Sequence, residues 1–258
     1  MQNYTPLHLH TDHSPDGLGT IGALFEKAAA SGFKHLAITD HATMGGHVAF
    51  WSAAKDVGIK PIFGVEAYIG WGGERGHLTI LSSGRRGFEN LTKLNNMAHE
   101  NVVRGFPLTT IDMLAECNEG LIVLTGCSAS PLYFGDFPDA MKFAGTLYDI
   151  FGKDRLFAEV MGVIDEDNIS RPRDIAKRLG LKTVVTTDTH FINPEQAGAH
   201  QIMSRCRKGY DYNSAELYLK TAKQLVETGF LRKLADDRLI FEFMQNTMEI
   251  AESIEIHD

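Results

Sequence analysis

Pairs of potential metal ligands two residues apart are the feature of this sequence with the clearest chemical meaning. His8 and His10 flank Leu9, and Asp188 and His190 flank Thr189. Alternate residues of a strand point to the same face, so the members of each pair share a face. Imidazole and carboxylate groups are ligands that transition metals accept. Each pair therefore predicts part of a metal site.

Further residues of ligand-forming type lie near predicted strand ends or in a turn. Glu66 is a carboxylate inside an apolar run, and an unpaired buried carboxylate is costly, so it needs a cation or a place beyond the strand edge. Asp16 lies in a Ser-Pro-Asp-Gly turn, where turn chemistry alone also explains an aspartate. The nearby His13 is the alternative ligand from this loop. The remaining candidates are His41, His77 and Cys127.

Each of these residues also has an ordinary structural interpretation. His41 alone fits a hydrogen-bonded core histidine, and Cys127 alone fits a small buried apolar residue. Together, however, ligand-type residues occur at or near an end of six of seven predicted strands, mostly the carboxyl end. Those ends form one mouth in a parallel barrel, so the pattern predicts a polynuclear metal site. The other histidines are predicted to be surface or helix residues: His35, His47, His99, His200 and His257.

Short strand-forming runs alternate with helical segments along the chain. The predicted strands are Thr5–Thr11, His35–Asp40, Pro61–Ile69, His77–Ser82, Leu121–Thr125, Leu156–Met161 and Thr183–Thr187. The predicted helices are Ile21–Ser31, Gly46–Val57, Gly87–His99, Asp139–Phe151, Asn168–Leu179, Pro194–Arg205 and Arg232–Ile254. This alternation implies an α/β fold with a parallel sheet. Because no Gly-x-Gly-x-x-Gly turn follows the first strand, a closed barrel is favoured over an open doubly wound sheet.

Two regions depart from this regular pattern. His77 stands at the start of its strand, so it reaches the predicted mouth only if that fourth strand is irregular. The glycine-rich stretch Gly70–Gly76 and the polar stretch Cys206–Ser214 are predicted to be loops.

Composition excludes several classes of protein. The chain has 258 residues, of which 43% are hydrophobic and 22% charged, as in ordinary globular proteins. A net charge of −8 disfavours nucleic-acid binding driven by charge alone. It does not exclude an enzyme that holds a nucleic-acid end at a metal site, because the metal charge is not counted. Three cysteines, no signal peptide and no long apolar run predict a cytoplasmic protein without a membrane span.

The motifs around these residues, taken together, resemble the PHP (polymerase and histidinol phosphatase) superfamily. They are most similar to the N-terminal PHP domain of bacterial DNA polymerase III alpha subunits. The motifs are His8-Leu9-His10-Thr11, Ile38-Thr39-Asp40-His41, Gly64-Val65-Glu66, His77-Leu78-Thr79, Thr125-Gly126-Cys127 and Thr187-Asp188-Thr189-His190. The resemblance covers essentially the whole chain. It implies one domain over 1–258, a distorted seven-stranded β/α barrel with a C-terminal helix at about 231–254 packed on it.

The resemblance also implies nine ligands for three divalent ions, Zn²⁺, Mn²⁺ or Fe²⁺. By analogy, one ion takes His8, His10, Glu66 and Asp188. A second takes Asp16, His41 and His190. A third takes His77 and Cys127, with Glu66 bridging. Asp188, His10 and Glu66 are the expected catalytic centre, where a hydroxide held between ions attacks phosphorus. Two departures stand out: the segment between His10 and Asp16 is one residue shorter than in the polymerase pattern, and no polymerase module follows, so a free-standing protein or an excised domain is expected.

The implied activity is metal-dependent hydrolysis of DNA phosphodiesters by a 3′→5′ exonuclease, with proofreading during DNA replication as its context. The expected partners are a DNA 3′ end and a DNA polymerase. The predicted substrate-binding residues are Arg205, Arg207 and Lys208. Further cations and aromatic side chains suited to a nucleic-acid strand are Arg85, Arg86, Arg104, Trp71 and Tyr210. The more ordinary interpretation of each is a solvated surface charge or an aromatic ring packed in a loop.

Two alternative functions remain open at this point. A phosphatase acting on a small phosphomonoester predicts an enclosed pocket. A non-catalytic, polymerase-associated module predicts lost ligands, whereas all nine positions here hold a residue able to bind a metal.

Overall fold

The computed structural model describes residues 3–161, 167–208, 215–227, 231 and 236–256. The strands are β1 His35–Ile38, β2 Lys60–Trp71, β3 Glu74–Ser82, β4 Val102–Val103, β5 Phe106–Pro107, β6 Leu121–Leu124, β7 Leu156–Met161 and β8 Thr183–Thr186. The helices are α1 Ile21–Ser31, α2 His47–Val57, α3 Gly84–Glu100, α4 Ile111–Glu116, α5 Phe137–Phe151, α6 Asp167–Leu179, α7 Ala197–Lys208, α8 Ala222–Glu227 and a last helix, Asp237–Ser253.

Helix ends follow local sequence signals. α1 and α2 end at Gly32 and Gly58, both with positive φ, because glycine adopts the left-handed conformation without a Cβ clash. The short helices α4 and α8 were not predicted, and the predicted helix Pro194–Arg205 is a 3₁₀ turn followed by α7.

Six strands form one curled sheet in the order β1-β2-β3-β6-β7-β8. The β1–β2, β6–β7 and β7–β8 pairs are parallel, but β3 is antiparallel to both of its neighbours. The predicted all-parallel sheet is therefore wrong at β3. The predicted loop Gly70–Gly76 is also wrong: β2 and β3 continue through it as a hairpin whose turn is Gly72 and Gly73, both with positive φ.

The first predicted strand, Thr5–Thr11, is not a regular strand. It forms one isolated bridge, from Leu9 to Thr189. Its backbone nevertheless bonds to both ends of the sheet: Ala37 N donates to Pro6 O, and His10 N donates to Thr189 O. The mixed α/β fold is confirmed, whereas the seven-stranded barrel is not, because the seventh segment makes no ladder.

The strand registers place polar residues above an apolar layer on one face of the sheet. Ile62, Leu81, Phe157 and Val184 belong to a single hydrophobic cluster with Leu7. Ile250, Ala251 and Ile254, at the end of the last helix, complete that cluster. Asn246 also donates to the backbone oxygen of Thr183, at 2.7 Å. This contact attaches the last helix to β8, although the single-domain interpretation over 1–258 stays a prediction.

Farther along the same faces, side chains become polar. Alternation carries β2 from Ile62 to Glu66, β7 from Phe157 to Glu159 and β8 from Val184 to Thr186. Because β3 runs in the opposite direction, its beginning lies where the other strands end. His77 therefore pairs directly with Tyr68, near the end of β2. The predicted fourth strand, here β3, is thus irregular in its direction, as the position of His77 required.

Candidate metal centre

The nine predicted ligands meet at the carboxyl end of the sheet. Eight of them are buried, and the side chain of His77 is 17% exposed. Asp188 follows β8 with a φ of +47°, and Ala42, directly after His41, has a φ of +45°. Non-glycine residues rarely adopt this left-handed conformation, and such strain is concentrated at functional sites.

Glu66 lies at the centre of the group. Its Oε1 is 3.2 Å from His8 Nε2 and 3.0 Å from His77 Nδ1. Its Oε2 is 2.7 Å from His41 Nδ1 and 3.4 Å from His10 Nε2. One fully buried carboxylate is thus surrounded by four imidazoles.

Asp188 forms a second point of convergence. Its Oδ1 is 3.1 Å from His10 Nε2 and 3.3 Å from His8 Nε2. The same oxygen lies 3.5 Å from His190 Nδ1, whose hydrogen bond goes to the Asp188 backbone oxygen at 2.7 Å.

Several of these atoms are close together without being hydrogen bonded. They are His8 Nε2, His10 Nε2, His41 Nδ1, Glu66 Oε2 and Asp188 Oδ1, all buried and without a hydrogen-bond partner in the described part of the chain. Burying a polar atom without a hydrogen-bond partner costs free energy, so such atoms are expected where an ion is bound. Their separations also suit common ions, because ligand atoms about 2.0–2.2 Å from a metal lie roughly 3 Å apart. The residues present therefore fit a metal centre.

Asp16, not His13, belongs to this centre. Asp16 is buried, with Oδ1 3.2 Å from His41 Nε2 and Oδ2 3.6 Å from His190 Nε2. His13 is exposed. The loop that carries Asp16 therefore turns its carboxylate toward the other candidate ligands.

Ligand atoms within 4.8 Å of one another form three groups among the described residues. The groups are His10, Asp16, His41 and His190; then His8, His10 and Asp188; then His41, Glu66 and His77. These differ in part from the predicted sets. The third group contains His41 in place of Cys127, whose Sγ nevertheless lies 3.4 Å from His77 Nδ1. The described residues thus contain several groupings able to hold a metal ion.

Glu159 is a functional candidate that the sequence reasoning missed. It lies on β7, is fully buried and accepts hydrogen bonds from Thr79 Oγ1, Thr186 Oγ1 and Gly126 N. His8 Nδ1 lies 2.6 Å from its Oε1. A carboxylate oxygen accepts, so Nδ1 of His8 carries the proton and the Nε2 lone pair is left for an ion. A charged residue in the apolar run Leu156–Met161 was the available signal.

Gly126 is required at its position beside Glu159. Its φ is +90°, and a Cβ there would lie 2.4 Å from the backbone oxygen of His77. Only glycine allows β6 to end so close to His77.

Asp40 orients His10 through Ser14. The Ser14 hydroxyl donates to Asp40 Oδ1 at 2.9 Å, so its oxygen accepts from His10 Nδ1 at 2.8 Å. Asp40 also accepts from the Thr11 backbone and hydroxyl. The Nε2 lone pair of His10 therefore also faces the centre.

Without ions, the carboxylates and imidazoles shift one another's pKa values. Burial opposes the positive charge of His41, but Glu66 and Asp16 raise its pKa to about 10. Burial also opposes the positive charge of His8. The carboxylates of Asp188, Glu159 and Glu66 outweigh burial, so the pKa of His8 lies well above its usual value. Burial and the neighbouring His190 and His41 lower the pKa of His10 to about 4.

The pKa values of the Glu66 carboxyl and the Cys127 thiol shift in opposite directions. Burial favours a neutral Glu66, yet His77, His41 and His8 hold its pKa well below the usual value. Burial, together with Glu66 and Asp188, raises the pKa of Cys127 well above that of a free thiol. Divalent ions would replace the protons on these imidazoles, because metal ligands bind in their deprotonated forms.

Most histidines predicted to be surface or helix residues lie on helices in the described chain. His47, His99 and His200 belong to α2, α3 and α7, although His47 and His200 are buried. His35 begins β1 and is partly buried. His257 lies outside the described residues.

Of the predicted substrate residues, only the side chain of Arg205 lies within the described part of the chain. Arg205 is exposed on α7; the side chains of Arg207 and Lys208, and the whole of Tyr210, lie outside the described residues. Trp71 packs edge-on against Phe143, with ring centroids 5.1 Å apart.

Arg85 and Arg86 instead pair with acidic groups on the surface. Arg85 pairs with Glu89, and Arg86 pairs with Glu119.

Sequence comparison assigns the family. The profile of the PHP domain matches residues 6–162, more than half of the chain. The chain belongs to the PHP domain family. PHP-family relatives include the DNA polymerase III alpha subunit of Saccharopolyspora erythraea, 31% identical over 301 residues. The alignment covers 99% of this chain and 25% of that protein.

The corresponding subunit of Escherichia coli K12 is 32% identical over 275 residues, covering 96% of this chain and 22% of the relative. The chain thus spans about a quarter of the length of these curated relatives.

Solved structures confirm the fold. A putative metal-dependent phosphoesterase from Bifidobacterium adolescentis superimposes with a TM-score of 0.55 at 14% identity, covering 91% of this chain and 97% of the other. An amidohydrolase from Chromobacterium violaceum gives 0.57 at 17% identity, covering 72% and 87%. No helix in the described parts of the chain has the length and apolar character needed to span a membrane.

Proposed function

We propose that this PHP domain is a metal-dependent phosphoesterase whose ions are held by His8, His10, Asp16, His41, Glu66, His77, Cys127, Asp188 and His190. The observation that carries this proposal is the set of buried, unsatisfied atoms around Glu66 and Asp188. A purely structural domain gains nothing from this arrangement, because each unsatisfied buried atom costs stability.

The residues of the centre have two roles: some provide negative charge for the ions, and others fix the orientation of the histidine ligands. Bound divalent ions would supply Lewis acidity toward phosphoryl oxygens and lower the pKa of a water molecule. Glu66 and Asp188 provide negative charge for those ions, Glu159 fixes the tautomer of His8, and Ser14 fixes that of His10.

For the substrate, we propose a DNA 3′ end, hydrolysed by a 3′→5′ exonuclease that works beside a DNA polymerase. The support is the similarity to DNA polymerase III alpha subunits across nearly the whole chain. The family resemblance supports the 3′→5′ direction of hydrolysis. Mn²⁺, Zn²⁺ and Fe²⁺ are the proposed ions, since imidazole, carboxylate and thiolate ligands accept all three.

A time course on 5′-labelled single-stranded DNA with Mn²⁺ tests this function, with metal content measured on the same sample. We expect a ladder that shortens from the 3′ end and is absent with Asp188→Asn. Intact DNA with a metal-loaded protein that hydrolyses 4-nitrophenyl phosphate would instead indicate a phosphomonoesterase. Intact DNA with a protein that binds no metal would refute the catalytic proposal.

A further inference from the structure

Arg75 is connected to the metal centre by a series of ring contacts. It precedes His77 by two residues on β3, so the two side chains share a face. Its guanidinium carbon is 3.4 Å from the ring centroid of Phe106 and 5.0 Å from that of Tyr68. Tyr68 stacks on His41 at 5.6 Å with an interplanar angle of 8°, and meets His77 edge-on at 5.2 Å.

The guanidinium of Arg75 is held in place but has no acidic partner among the described residues. Arg75 is exposed and, within the described chain, makes no ion pair or side-chain hydrogen bond. Arg85 and Arg86, which are also exposed, both pair with glutamates. Stacking on aromatic rings fixes a guanidinium while leaving its N–H groups available to an anion. Arg75 is therefore prepared to bind a negatively charged group.

A cavity of about 590 Å³ lies at this place, and its charged lining residues are Arg75, Arg104 and Glu74, beside Phe106 and Leu108. Arg104 forms the turn between β4 and β5 with a φ of +50°. Phe106 is 36% exposed. The volume lies in the range of small-molecule sites, and the combination of cations with an exposed aromatic ring is typical of single-stranded nucleic-acid binding.

We propose that Arg75, with Arg104 and Phe106, binds the nucleotide next to the hydrolysed phosphodiester, and that Arg75 contacts a non-reacting phosphate. This inference rests on the proposed function and specifies its substrate as a polynucleotide chain. Phe106 lies one ring beyond Tyr68, at 5.3 Å, and Tyr68 itself lies beside the candidate ligands. A substrate that fills both places must extend across Tyr68, as a chain does and a small monoester does not.

Binding of a fluorescein-labelled, phosphorothioate-linked hexathymidylate to the metal-loaded protein tests this site directly. We expect Arg75→Ala to weaken binding about tenfold and to reduce the slope of log affinity against log salt by about one. Arg75→Lys, which keeps the charge but loses the planar fork, should fall between wild type and Arg75→Ala.

Lys55→Ala is the matched control. The Lys55 ammonium lies 4.1 Å from the Trp51 ring centroid, in the last turn of α2. This helix precedes the start of β2, whereas Arg75 lies beside the hairpin at the other end of that strand. The Lys55→Ala substitution removes one positive charge from a similar cation–aromatic pair and should leave both the affinity and the salt slope unchanged. Equal losses in Arg75→Ala and Lys55→Ala, or none in Arg75→Ala, would overturn the proposal.

A kinetic comparison separates this site from the proposed function. Arg75→Ala should lower kcat/KM on single-stranded DNA about tenfold, mainly through KM. It should not change hydrolysis of bis(4-nitrophenyl) phosphate, which has no neighbouring nucleotide. An equal loss on both substrates would place Arg75 in the chemistry and refute the subsite. If the wild-type protein hydrolysed neither, the proposed function would fail, and the binding measurement would still decide the subsite.

Discussion

His41 and His47 are both buried and close in sequence, yet their surroundings shift their pKa values in opposite directions. Glu66 and Asp16 flank His41 and raise its pKa to about 10 against the effect of burial. His47 packs against the rings of Phe63 and Phe88, and burial lowers its pKa to about 4.

Each of the two rings has an Nδ1 without a hydrogen-bond partner in the described chain. An unsatisfied buried nitrogen is therefore not enough to indicate a metal site. The difference lies in the carboxylates of Glu66 and Asp16, which outweigh burial at His41, whereas the charge of Asp40 does not outweigh burial at His47. An ion needs such negative charge as well as lone pairs.

Glu66→Gln should have the largest effect, because it removes the charge that distinguishes the surroundings of His41 while keeping the side-chain shape. We expect the metal content per chain to fall by at least one ion and phosphodiester hydrolysis to be abolished. Inductively coupled plasma mass spectrometry and hydrolysis of bis(4-nitrophenyl) phosphate measure the two effects. Exposed Glu89→Gln is the control. A Glu66→Gln protein with the wild-type ion content and rate would show that this carboxylate is not a ligand.

Glu159→Gln should have the next largest effect, because Glu159 orients His8 without facing the ions itself. Loss of such an orienting carboxylate typically costs 10–100-fold in metal affinity. Competition with a fluorescent chelator would measure this loss, and Glu249→Gln on the surface is the charge-matched control. If the affinity were unchanged, the proton on His8 Nδ1 would not be set by Glu159.

His47 supplies a pH dependence of stability without metal chemistry. Its folded pKa of about 4 lies below the unfolded value of 6.5, so the unfolded chain binds the extra proton between these values. Stability is therefore full above pH 6.5 and falls as the pH decreases toward 4, by about 2 kcal/mol at pH 5.

Urea unfolding in chelator at pH 7 and pH 5 would test this. Wild type should lose about 2 kcal/mol more than His47→Gln, whose amide can still donate to the Gly64 oxygen that His47 Nε2 contacts at 3.0 Å. Equal losses in the two proteins would mean that His47 keeps an ordinary pKa inside the fold.

Most of the residues that the structure brings together around Glu66 could be predicted from the sequence. Paired ligands such as His8 and His10 follow from strand alternation, which is a local rule. The convergence of strand ends needs only the α/β alternation. Glu66 was found because a charge inside an apolar run is expensive.

What the sequence did not predict depends on long-range pairing. The direction of β3 follows from the tight turn at Gly72 and Gly73, which was interpreted as part of a loop. The segment 5–11 alternates like a strand, but it bonds to β1 and to Thr189, just after β8, without forming a regular ladder. Glu159 carried the same signal as Glu66, but its partners Thr79 and Thr186 come from other strands and become visible only in three dimensions.

Thr186→Val should give the smallest effect. It tests most finely whether the orientation of His8 matters separately from the negative charge around the ions. The Thr186 hydroxyl donates to Glu159 Oε1 at 2.7 Å, and His8 Nδ1 faces the same oxygen. Valine keeps the shape and β-branching, so only one hydrogen bond to a buried carboxylate is lost, a cost of about 1.5 kcal/mol in unfolding free energy. Thr183→Val on the same strand is the control, because the Thr183 hydroxyl has no hydrogen bond within the described chain. Metal affinity should fall by less than in Glu159→Gln, since the other donors still hold the carboxylate. A larger loss of affinity than in Glu159→Gln would mean that Thr186, and not Glu159, sets the position of His8.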